Sequence, residues 1–246
     1  MPRDVRPMPD AFTVINPDSR GALVLTCEHA SRAVPVEYDD LGLDDAQLSE
    51  HIGWDIGAGA LTEALAQRLG APAVQSGVSR LVIDCNRDLA DHDLIVAESH
   101  GVFVPGNQRV DTVERERRIR EFYEPYHDAI DAVLAQRPNA LLLSIHSFTP
   151  ALNGSERRFD VGVLFDSFAT EAERLGEALA EGGLSVRYNL PYSGLDGLIF
   201  SARTHGMRHG LRYLELEVNN RLLRTVAQID VIAGAVVGPV RSLLEL

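Results

Sequence analysis

The sequence contains no lysine, since all 23 of its basic residues are arginine. Without a lysine amine the chain cannot form a Schiff base, and it cannot supply the lysine of a phosphate-binding P-loop. Cysteine is scarce as well: Cys27 and Cys85 each stand in an apolar segment, and neither belongs to a CxxC motif. This pattern is typical of buried free thiols and argues against a disulfide or a zinc knuckle.

Long hydrophobic runs are also missing. No apolar stretch approaches the roughly 18–20 residues that cross a bilayer, and residues 1–12 lack the apolar segment of a signal peptide, so we expect a cytoplasmic protein. The formal net charge of -13 disfavours nucleic acid and anionic membrane as partners, because both repel an acidic surface. We therefore expect a small molecule as the partner, whereas the oligomeric state is not predicted.

The alternation of strand-like and helix-like segments predicts one α/β domain over residues 1–246, with residues 1–20 as a peripheral N-terminal segment. Its centre should be a mixed, largely parallel sheet flanked by helices. The predicted strands are short apolar runs at 22–27, 72–75, 81–85, 141–145, 161–165, 185–188 and 213–218. The predicted helices are amphipathic stretches at 57–69, 114–135, 169–180 and 222–244, and the polar segments 92–108 and 188–209 should be long loops.

Chemically active side chains follow the predicted strands. His29, His146 and Glu217 lie at or after the ends of three strands, and the carboxyl ends of parallel strands share one edge of a sheet. Asp55 leads into the first long helix. Two histidines and a carboxylate with an open fourth position are the usual ligands of a hydrolytic zinc. Taken singly, each histidine could instead cap a strand, and Asp55 could be a helix N-cap.

A second group surrounds the segment 81–85. Arg80 and Arg87 bracket it and Asn86 stands beside Arg87, so the three could hold the carboxylate of an anionic amino acid. Alternatively, Asp84 forms ion pairs with these arginines. Glu215 and Glu217 share one face of their strand, and one of them could be a general base if that face borders the site. Otherwise they form a solvated face.

With these motifs in view, the sequence resembles the N-formylglutamate amidohydrolase family. The matching segments extend in order from residue 27 to residue 220: CEHAS, HIGWDIGA, SRLVIDCNRD, VPGN, FYEPYH, SIHSFTP, NLPYSGLDG and LELEVNN. The resemblance implies a metal-dependent hydrolase that converts N-formyl-L-glutamate and water to formate and L-glutamate, the last step of one route of histidine breakdown. It also implies an architecture similar to that of zinc carboxypeptidases and aspartoacylases.

The resemblance implies roles for the candidate residues, with one departure. Those relatives take a glutamate three positions after the first histidine ligand, where this chain has Arg32. We therefore expect Asp55 as the second ligand of a divalent metal, most simply Zn²⁺, ahead of His51 and Glu28. The remaining expected roles are metal binding by His29 and His146, general base catalysis by Glu217 in preference to Glu215, oxyanion stabilisation by His205, and substrate binding by Arg80, Asn86, Arg87, Asn189 and Tyr192.

Two other functions are compatible with the same residues. The first is an amidase or peptidase that acts on another small N-acyl or peptide substrate, because the sequence does not define an acyl pocket. The second is a metal-free protein that binds acidic amino acids through the arginine cluster alone.

Overall fold

A seven-stranded sheet forms the centre of the protein in the computed structural model, which describes residues 9–152 and 154–245. Its strands are β1 (Phe12–Ile15), β2 (Leu23–Cys27), β3 (Ala73–Ser76), β6 (Leu141–Phe148), β9 (Val161–Leu164), β10 (Val186–Tyr188) and β11 (Arg212–Asn219). Four further short strands form two hairpins outside the sheet: β4 (Glu98–Ser99) with β5 (Val102–Phe103), and β7 (Ala151–Leu152) with β8 (Ser155–Glu156).

The sheet is mixed and largely parallel, as the sequence predicts. Its strand order is β1-β3-β2-β6-β11-β9-β10. The four central strands β3, β2, β6 and β11 run parallel, while β1 is antiparallel to β3 and β9 is antiparallel to β11. Strand β1 lies in the predicted N-terminal segment and forms one edge of the sheet, and residues 1–8 of that segment lie outside the described residues.

Helices cover both faces of the sheet. They are α1 (Asp45–Ser49), α2 (Ala58–Leu69), α3 (Thr112–Arg118), α4 (Glu124–Leu134), α5 (Ala169–Glu181), α6 (Phe200–His209) and α7 (Val226–Leu244), and a π-helical turn at Ile119–Tyr123 connects α3 to α4. On one face, α4 and α6 pack over Leu142 and Tyr213; on the other, α2, α5 and α7 pack over Leu143 and Leu216. Because neighbouring residues of a strand point to opposite faces, each central strand supplies both cores.

Six of the seven predicted strands and all four predicted helices are confirmed, with shifts of a few residues at their ends. The strand predicted at 81–85 is wrong, because these residues form turns instead. Their carbonyl groups have side-chain donors in place of a neighbouring strand: Asn107 Nδ2 donates to Leu81 O at 2.7 Å, and Arg118 Nη1 donates to Val82 O at 3.0 Å. These two hydrogen bonds satisfy buried backbone groups that a strand would pair in a ladder.

The loop predicted at 188–209 contains helix α6 in its second half. The buried residues of this helix are Ser201, Ala202, His205 and Gly206, so its core-facing side shows no apolar periodicity. A Cβ atom at residue 206 would lie 2.2 Å from the ring of Tyr213, so the missing side chain allows α6 to approach β11 closely. The loop predicted at 92–108 is confirmed, apart from the short hairpin of β4 and β5 and single 3₁₀ turns.

Helix α7 is long and apolar enough, by length and composition, to span a membrane. In the structure Ile232, Ala233, Val236 and Val240 are buried, and the helix packs against α2 and α5. These buried residues recur at helical spacing on one side, while Val226 and Val231 are exposed, so packing accounts for only part of the apolar composition of the helix.

Gly162 in β9 provides a test of this packing. A Cβ atom there would lie 2.0 Å from Leu190 O, in the loop that leads to Tyr192. We expect Gly162→Ala to lower the free energy of unfolding by about 1–3 kcal/mol, the usual effect of overpacking.

The matched control is Gly238→Ala in α7, where nothing lies within 4 Å of the added methyl group. Urea unfolding of the control should show unchanged stability or a gain of up to about 1 kcal/mol, because alanine favours a helix over glycine. Equal stability of the two variants would contradict the tight contact at Gly162.

Candidate active site

The candidate site lies where three neighbouring parallel strands end. Glu28 and His29 directly follow β2, His146 lies near the end of β6, and Glu215 and Glu217 lie in β11. The register places Glu217 opposite His146 and Glu215 opposite Ser144. The predicted convergence of His29, His146 and Glu217 at one sheet edge is therefore what the structure shows.

A cavity of about 230 Å³ opens at this edge. Its lining includes the two strand-end histidines, several carboxylates and a basic group. The polar lining residues are His29, His51, Asp55, Arg80, Asp84, Asn86, Arg87, His100, His146, Ser147, Thr149, Tyr192, Glu215 and Glu217, and the apolar ones are Phe148, Leu152 and Leu198.

Two histidine rings converge on one carboxylate oxygen. Asp55 Oδ2 lies 2.8 Å from His146 Nδ1 and 3.4 Å from His29 Nδ1. All three side chains are buried. The backbone fixes the carboxylate, because Asp55 N donates to His29 O at 3.0 Å and Ser147 N donates to Asp55 Oδ2 at 3.3 Å. Asp55 is not the N-cap of α2, since Gly57 occupies that position.

A second carboxylate holds the far side of each ring. His29 Nε2 lies 2.7 Å from Asp84 Oδ1, and His146 Nε2 lies 2.9 Å from Glu28 Oε2. An ionised carboxylate only accepts hydrogen bonds, so each Nε2 carries a proton and donates it. This arrangement leaves both Nδ1 atoms directed at Asp55, and His29 Nδ1 is buried without a hydrogen-bond partner. Histidine ligands of metals are commonly oriented by a carboxylate in this way.

Hydrogen bonds from two hydroxyl groups hold the carboxylate of Glu28. Tyr126 of α4 donates its hydroxyl to Glu28 Oε1 at 3.0 Å, and Ser144 of β6 donates to Oε2 at 2.6 Å. Burial alone would raise the pKa of Glu28, but the hydrogen bonds from His146 and Ser144 and the charge of His146 lower it well below its ordinary value. Glu28 is thus an ionised partner of His146 and is not placed as a ligand in its own right.

The site contains more buried carboxyl groups than cationic groups, so not all of the carboxyl groups are ionised. Burial, together with neighbouring carboxylates, raises the pKa of Glu215 and of Glu217 to about 8, although the charge of His146 lowers it. Burial would lower the pKa of His146, but Glu215, Asp55 and Glu28 raise it well above its ordinary value, so the ring holds a proton between carboxylates. A divalent cation at the Nδ1 atoms and Asp55 would replace that proton, neutralise the excess charge and satisfy His29 Nδ1. The donor set of His29, Asp55 and His146 thus fits a metal ion such as zinc.

The arginine cluster divides into two parts. Arg80 is engaged with carboxylates: its Nη2 donates to Asp84 Oδ2 at 3.0 Å and its Nη1 to Asp55 Oδ1 at 3.4 Å. It therefore braces the residues around the metal-ligand candidates, and because it also lines the cavity its expected contact with substrate stays a prediction. Arg87 lies in the cavity wall with only a long contact of 3.9 Å from its Nε to Asp84 Oδ2. Asn86 also lines the cavity, and its Oδ1 accepts from Ser201 N at 2.9 Å, which leaves its amide NH₂ as a donor.

Two residues of the loop after β10 have different positions. Tyr192 lines the cavity as predicted, with the Arg157 guanidinium 5.3 Å from its ring centre. Asn189 does not line the cavity. Its Oδ1 accepts from Phe165 N at 3.0 Å and from Gly194 N at 3.1 Å. Its amide oxygen thus stabilises the loop, which corrects the predicted contact with substrate.

His205 does not reach the cavity either. It is buried on α6, with Nδ1 2.7 Å from Asp131 Oδ1 and Nε2 2.8 Å from His127 Nδ1. Both ring nitrogens are engaged, so His205 cannot act as the oxyanion donor predicted from the sequence. The hydrogen bonds with Asp131 connect α6 to α4 and give the residue a structural role.

From the sequence, Asp84 was expected to form an ion pair with an arginine, and its hydrogen bond with His29 was not predicted. An aspartate within a predicted strand gave no reason to place it beside a residue so distant in the chain. His51, the alternative second ligand, lies at the cavity wall against His100, and it is not part of the His29, Asp55 and His146 cluster. His100 had no role in the sequence prediction, because it stands in a polar loop without a motif.

The hydroxyl of Ser144 offers a test of the buried carboxylate network. Ser144→Ala removes a hydrogen bond to ionised Glu28, and we expect it to lower the free energy of unfolding near neutral pH by about 1.5–3 kcal/mol. Because the folded-state pKa of Glu28 is lowered, the ionised carboxylate contributes stability above the ordinary value of 4.5, and this contribution is lost as the pH falls from there toward the lowered folded-state pKa. Wild type and variant share the same unfolded state, so the difference between them should persist down to the ordinary value and shrink only in stronger acid, where Glu28 takes up a proton in the folded protein.

Urea unfolding of chelator-treated protein at several pH values measures this difference. The control is Ser242→Ala, since the Ser242 hydroxyl is exposed and donates only to Pro239 O of its own helix. Stability of Ser144→Ala equal to that of Ser242→Ala near neutral pH, or a difference that already disappears above pH 4.5, would show that ionised Glu28 is not the partner that matters.

The chain is similar to known proteins over most of its length. The family model for N-formylglutamate amidohydrolase matches residues 21–224. The crystal structure of a gene product from Agrobacterium tumefaciens is similar with a TM-score of 0.89 and 34% identity, over 96% of this chain and 95% of that one. The N-formylglutamate amidohydrolase from Ralstonia eutropha has the same fold, with a TM-score of 0.72 and 18% identity over 97% and 98% of the two chains.

A metallo-carboxypeptidase from Burkholderia cenocepacia matches with a TM-score of 0.41 and 15% identity, over 94% of this chain and 61% of that one, which is too remote to support a statement about this chain. None of the curated proteins compared matches the chain significantly. The match of the family model over most of the length, together with the similarity to the Agrobacterium structure, shows that the chain belongs to the N-formylglutamate amidohydrolase family and is an amide hydrolase.

Proposed function

We propose that the protein hydrolyses N-formyl-L-glutamate to formate and L-glutamate with the help of a divalent metal, and that this metal is zinc. The observation that carries the proposal is the convergence of His29 Nδ1 and His146 Nδ1 on Asp55 Oδ2, with the other nitrogen of each ring held by a carboxylate. Cytoplasmic histidine breakdown is the setting we propose for the reaction.

His29, Asp55 and His146 would hold the ion. When bound there, zinc would supply a Lewis acid for the formyl carbonyl and would lower the pKa of water at the site. Asp84 and Glu28 keep the two rings in the orientation that binding requires, and Arg80 keeps Asp55 and Asp84 in place.

Glu217 is the proposed general base. It lines the cavity opposite His146, and its Oε2 is buried without a hydrogen-bond partner. Glu217 accepts a proton from the attacking water as the water oxygen bonds to the formyl carbon. It then returns the proton to the amide nitrogen as the C–N bond breaks, which releases formate and the free amine of glutamate. Burial raises the pKa of Glu217 to about 8 in the absence of a cation, and a bound divalent ion would lower it toward the working pH, where a carboxylate can both accept and return a proton.

The substrate carboxylate next to the amide is assigned to Arg87 and Asn86. Arg87 has no close carboxylate partner among the described residues, and Asn86 keeps its NH₂ as a donor. An arginine fork and an amide donor together suit a carboxylate. Tyr192 forms part of the wall beside them and supplies an apolar ring with a polar hydroxyl.

The direct test is formate release from N-formyl-L-glutamate before chelation, after chelation and after zinc is restored, with zinc content measured on the same samples. We expect about one zinc per chain, because one His, Asp and His set makes one site. Chelation should abolish formate release and added zinc should restore it. If the protein binds zinc but releases no formate, its substrate is another N-acyl compound. If it binds acidic amino acids without zinc and without turnover, a metal-free binding protein is favoured.

The general base has its own test. Glu217→Gln keeps the size of the side chain but cannot accept the proton, so we expect turnover to fall by on the order of 10²-fold or more with zinc content unchanged. Glu181→Gln is the matched control, since Glu181 lies exposed at the end of α5, and its turnover should equal that of wild type. Turnover of Glu217→Gln close to wild type would remove Glu217 from this role, and Glu215 would be the next residue to replace.

A further inference from the structure

A pair of histidines separates the candidate active site from a second cavity. The second cavity has a volume of about 210 Å³ and shares His51, Arg80, Asp84, Arg87 and His100 with the first. The rings of His51 and His100 have centres 4.8 Å apart and are tilted by 52°. Two residues that are distant in sequence thus form one wall between the cavities.

The position of His100 depends on the hairpin of β4 and β5. His100 stands at the tip of this hairpin with φ 50°, followed by Gly101 with φ 80°. The left-handed conformation is unfavourable for a residue with a side chain. The tight turn places the ring of His100, which remains an exposed residue, against the ring of His51 in the lining of the cavity.

The wall carries polar groups that lack partners. His51 Nε2 is buried and has no hydrogen-bond partner. Arg87, which borders both cavities, makes only the 3.9 Å contact with Asp84. A buried polar atom without a partner is costly and rare. A carboxylate placed between these groups would accept from His51 Nε2 and lie next to the Arg87 guanidinium.

Two acidic residues in the second cavity restrict where an anionic group can bind. Asp93 and Glu98 line the second cavity, and their carboxylates would repel an anionic chain that extended into it. The favourable position for an anionic group is therefore at the wall itself.

We propose that His51 and His100 form a specificity subsite for the side-chain carboxylate of the substrate, so that the enzyme selects N-acyl derivatives of acidic amino acids over neutral ones. The inference rests on the proposed function and deepens it. His51 donates from Nε2 to the carboxylate, and His100 holds the His51 ring and closes the subsite from the hairpin. Arg87, whose hydrogen bonds are assigned to the carboxylate next to the amide, borders both cavities and contributes only its positive charge to the subsite.

The test compares kcat/KM of the zinc-loaded enzyme for N-formyl-L-glutamate and for its neutral isostere N-formyl-L-glutamine. Wild type should prefer the glutamate derivative. His51→Ala should lower kcat/KM for N-formyl-L-glutamate by roughly 10- to 100-fold, the loss expected for a hydrogen bond to a charged group. The value for N-formyl-L-glutamine should change by less than about threefold, since that substrate has no charge to lose.

Further variants separate this role from a structural one. His51→Gln, which keeps a donor, should recover part of the selectivity. His100→Gly accepts the positive φ of the hairpin tip and should lower selectivity in the same direction as His51→Ala. The matched control is His92→Ala, in the same segment of the chain but with a side chain that is 90% exposed, and its selectivity should equal that of wild type.

The possible outcomes distinguish a failure of the subsite proposal from a failure of the proposed reaction. Equal losses on both substrates in His51→Ala, or unchanged selectivity, would overturn the subsite while leaving the hydrolase function intact. If wild type releases formate from neither substrate, the proposed reaction fails, and calorimetric binding of the same two compounds decides the subsite. Preferential binding of N-formyl-L-glutamate that His51→Ala abolishes would support it, and equal binding of the two compounds by wild type would overturn it.

Discussion

Two imidazole nitrogens face a single carboxylate oxygen, and the structure around them is arranged to hold this contact. Asp55 Oδ2 lies 2.8 Å from His146 Nδ1 and 3.4 Å from His29 Nδ1. Without a cation, His146 Nδ1 faces this oxygen as a hydrogen-bond donor, whereas His29 Nδ1 is buried without a hydrogen-bond partner among the described residues, which costs free energy. Binding of a divalent ion would remove this cost, which is why we regard the contact as the centre of the site.

The surrounding residues supply charge and orientation in layers. Asp84 and Glu28 fix the two rings, Arg80 ties Asp84 to Asp55, and hydroxyl groups from α4 and β6 donate hydrogen bonds to Glu28. An orienting carboxylate makes a histidine a better metal ligand and restricts its movement. These hydrogen bonds and ion pairs explain how so many charged side chains can lie in a mostly apolar sheet. The charged groups of the site are paired with one another except where they face the cavity, and there a bound ligand would supply the missing partner.

The central part of this arrangement could be predicted from the sequence because it follows from strand topology. Parallel strands that end together bring Glu28, His29, His146 and Glu217 to one edge, and short apolar runs identify those strands. Asp55 was predicted from its place before a helix and is held at the site by its backbone hydrogen bond to His29.

The errors arose where side chains replace regular structure. The buried segment 81–85 looks like a strand because it is apolar, but its carbonyl groups pair with Asn107 and Arg118, and apolar content cannot reveal such partners. Helix α6 was missed because small and polar residues form its buried side, so its period is not visible. Asn189 belongs to a motif of the family and His205 to none, yet the polar atoms of both are engaged in holding a loop and a helix.

The central claim is that His29, Asp55 and His146 together hold a divalent cation. A crystal structure of the zinc-loaded protein, with anomalous difference maps on both sides of the zinc absorption edge, tests it most directly. Our account predicts one strong anomalous peak within coordination distance of His29 Nδ1, His146 Nδ1 and the Asp55 carboxylate. A peak only at another histidine group, such as the exposed Asp91, His92 and Asp93 cluster, or the absence of a peak at Asp55, would contradict it.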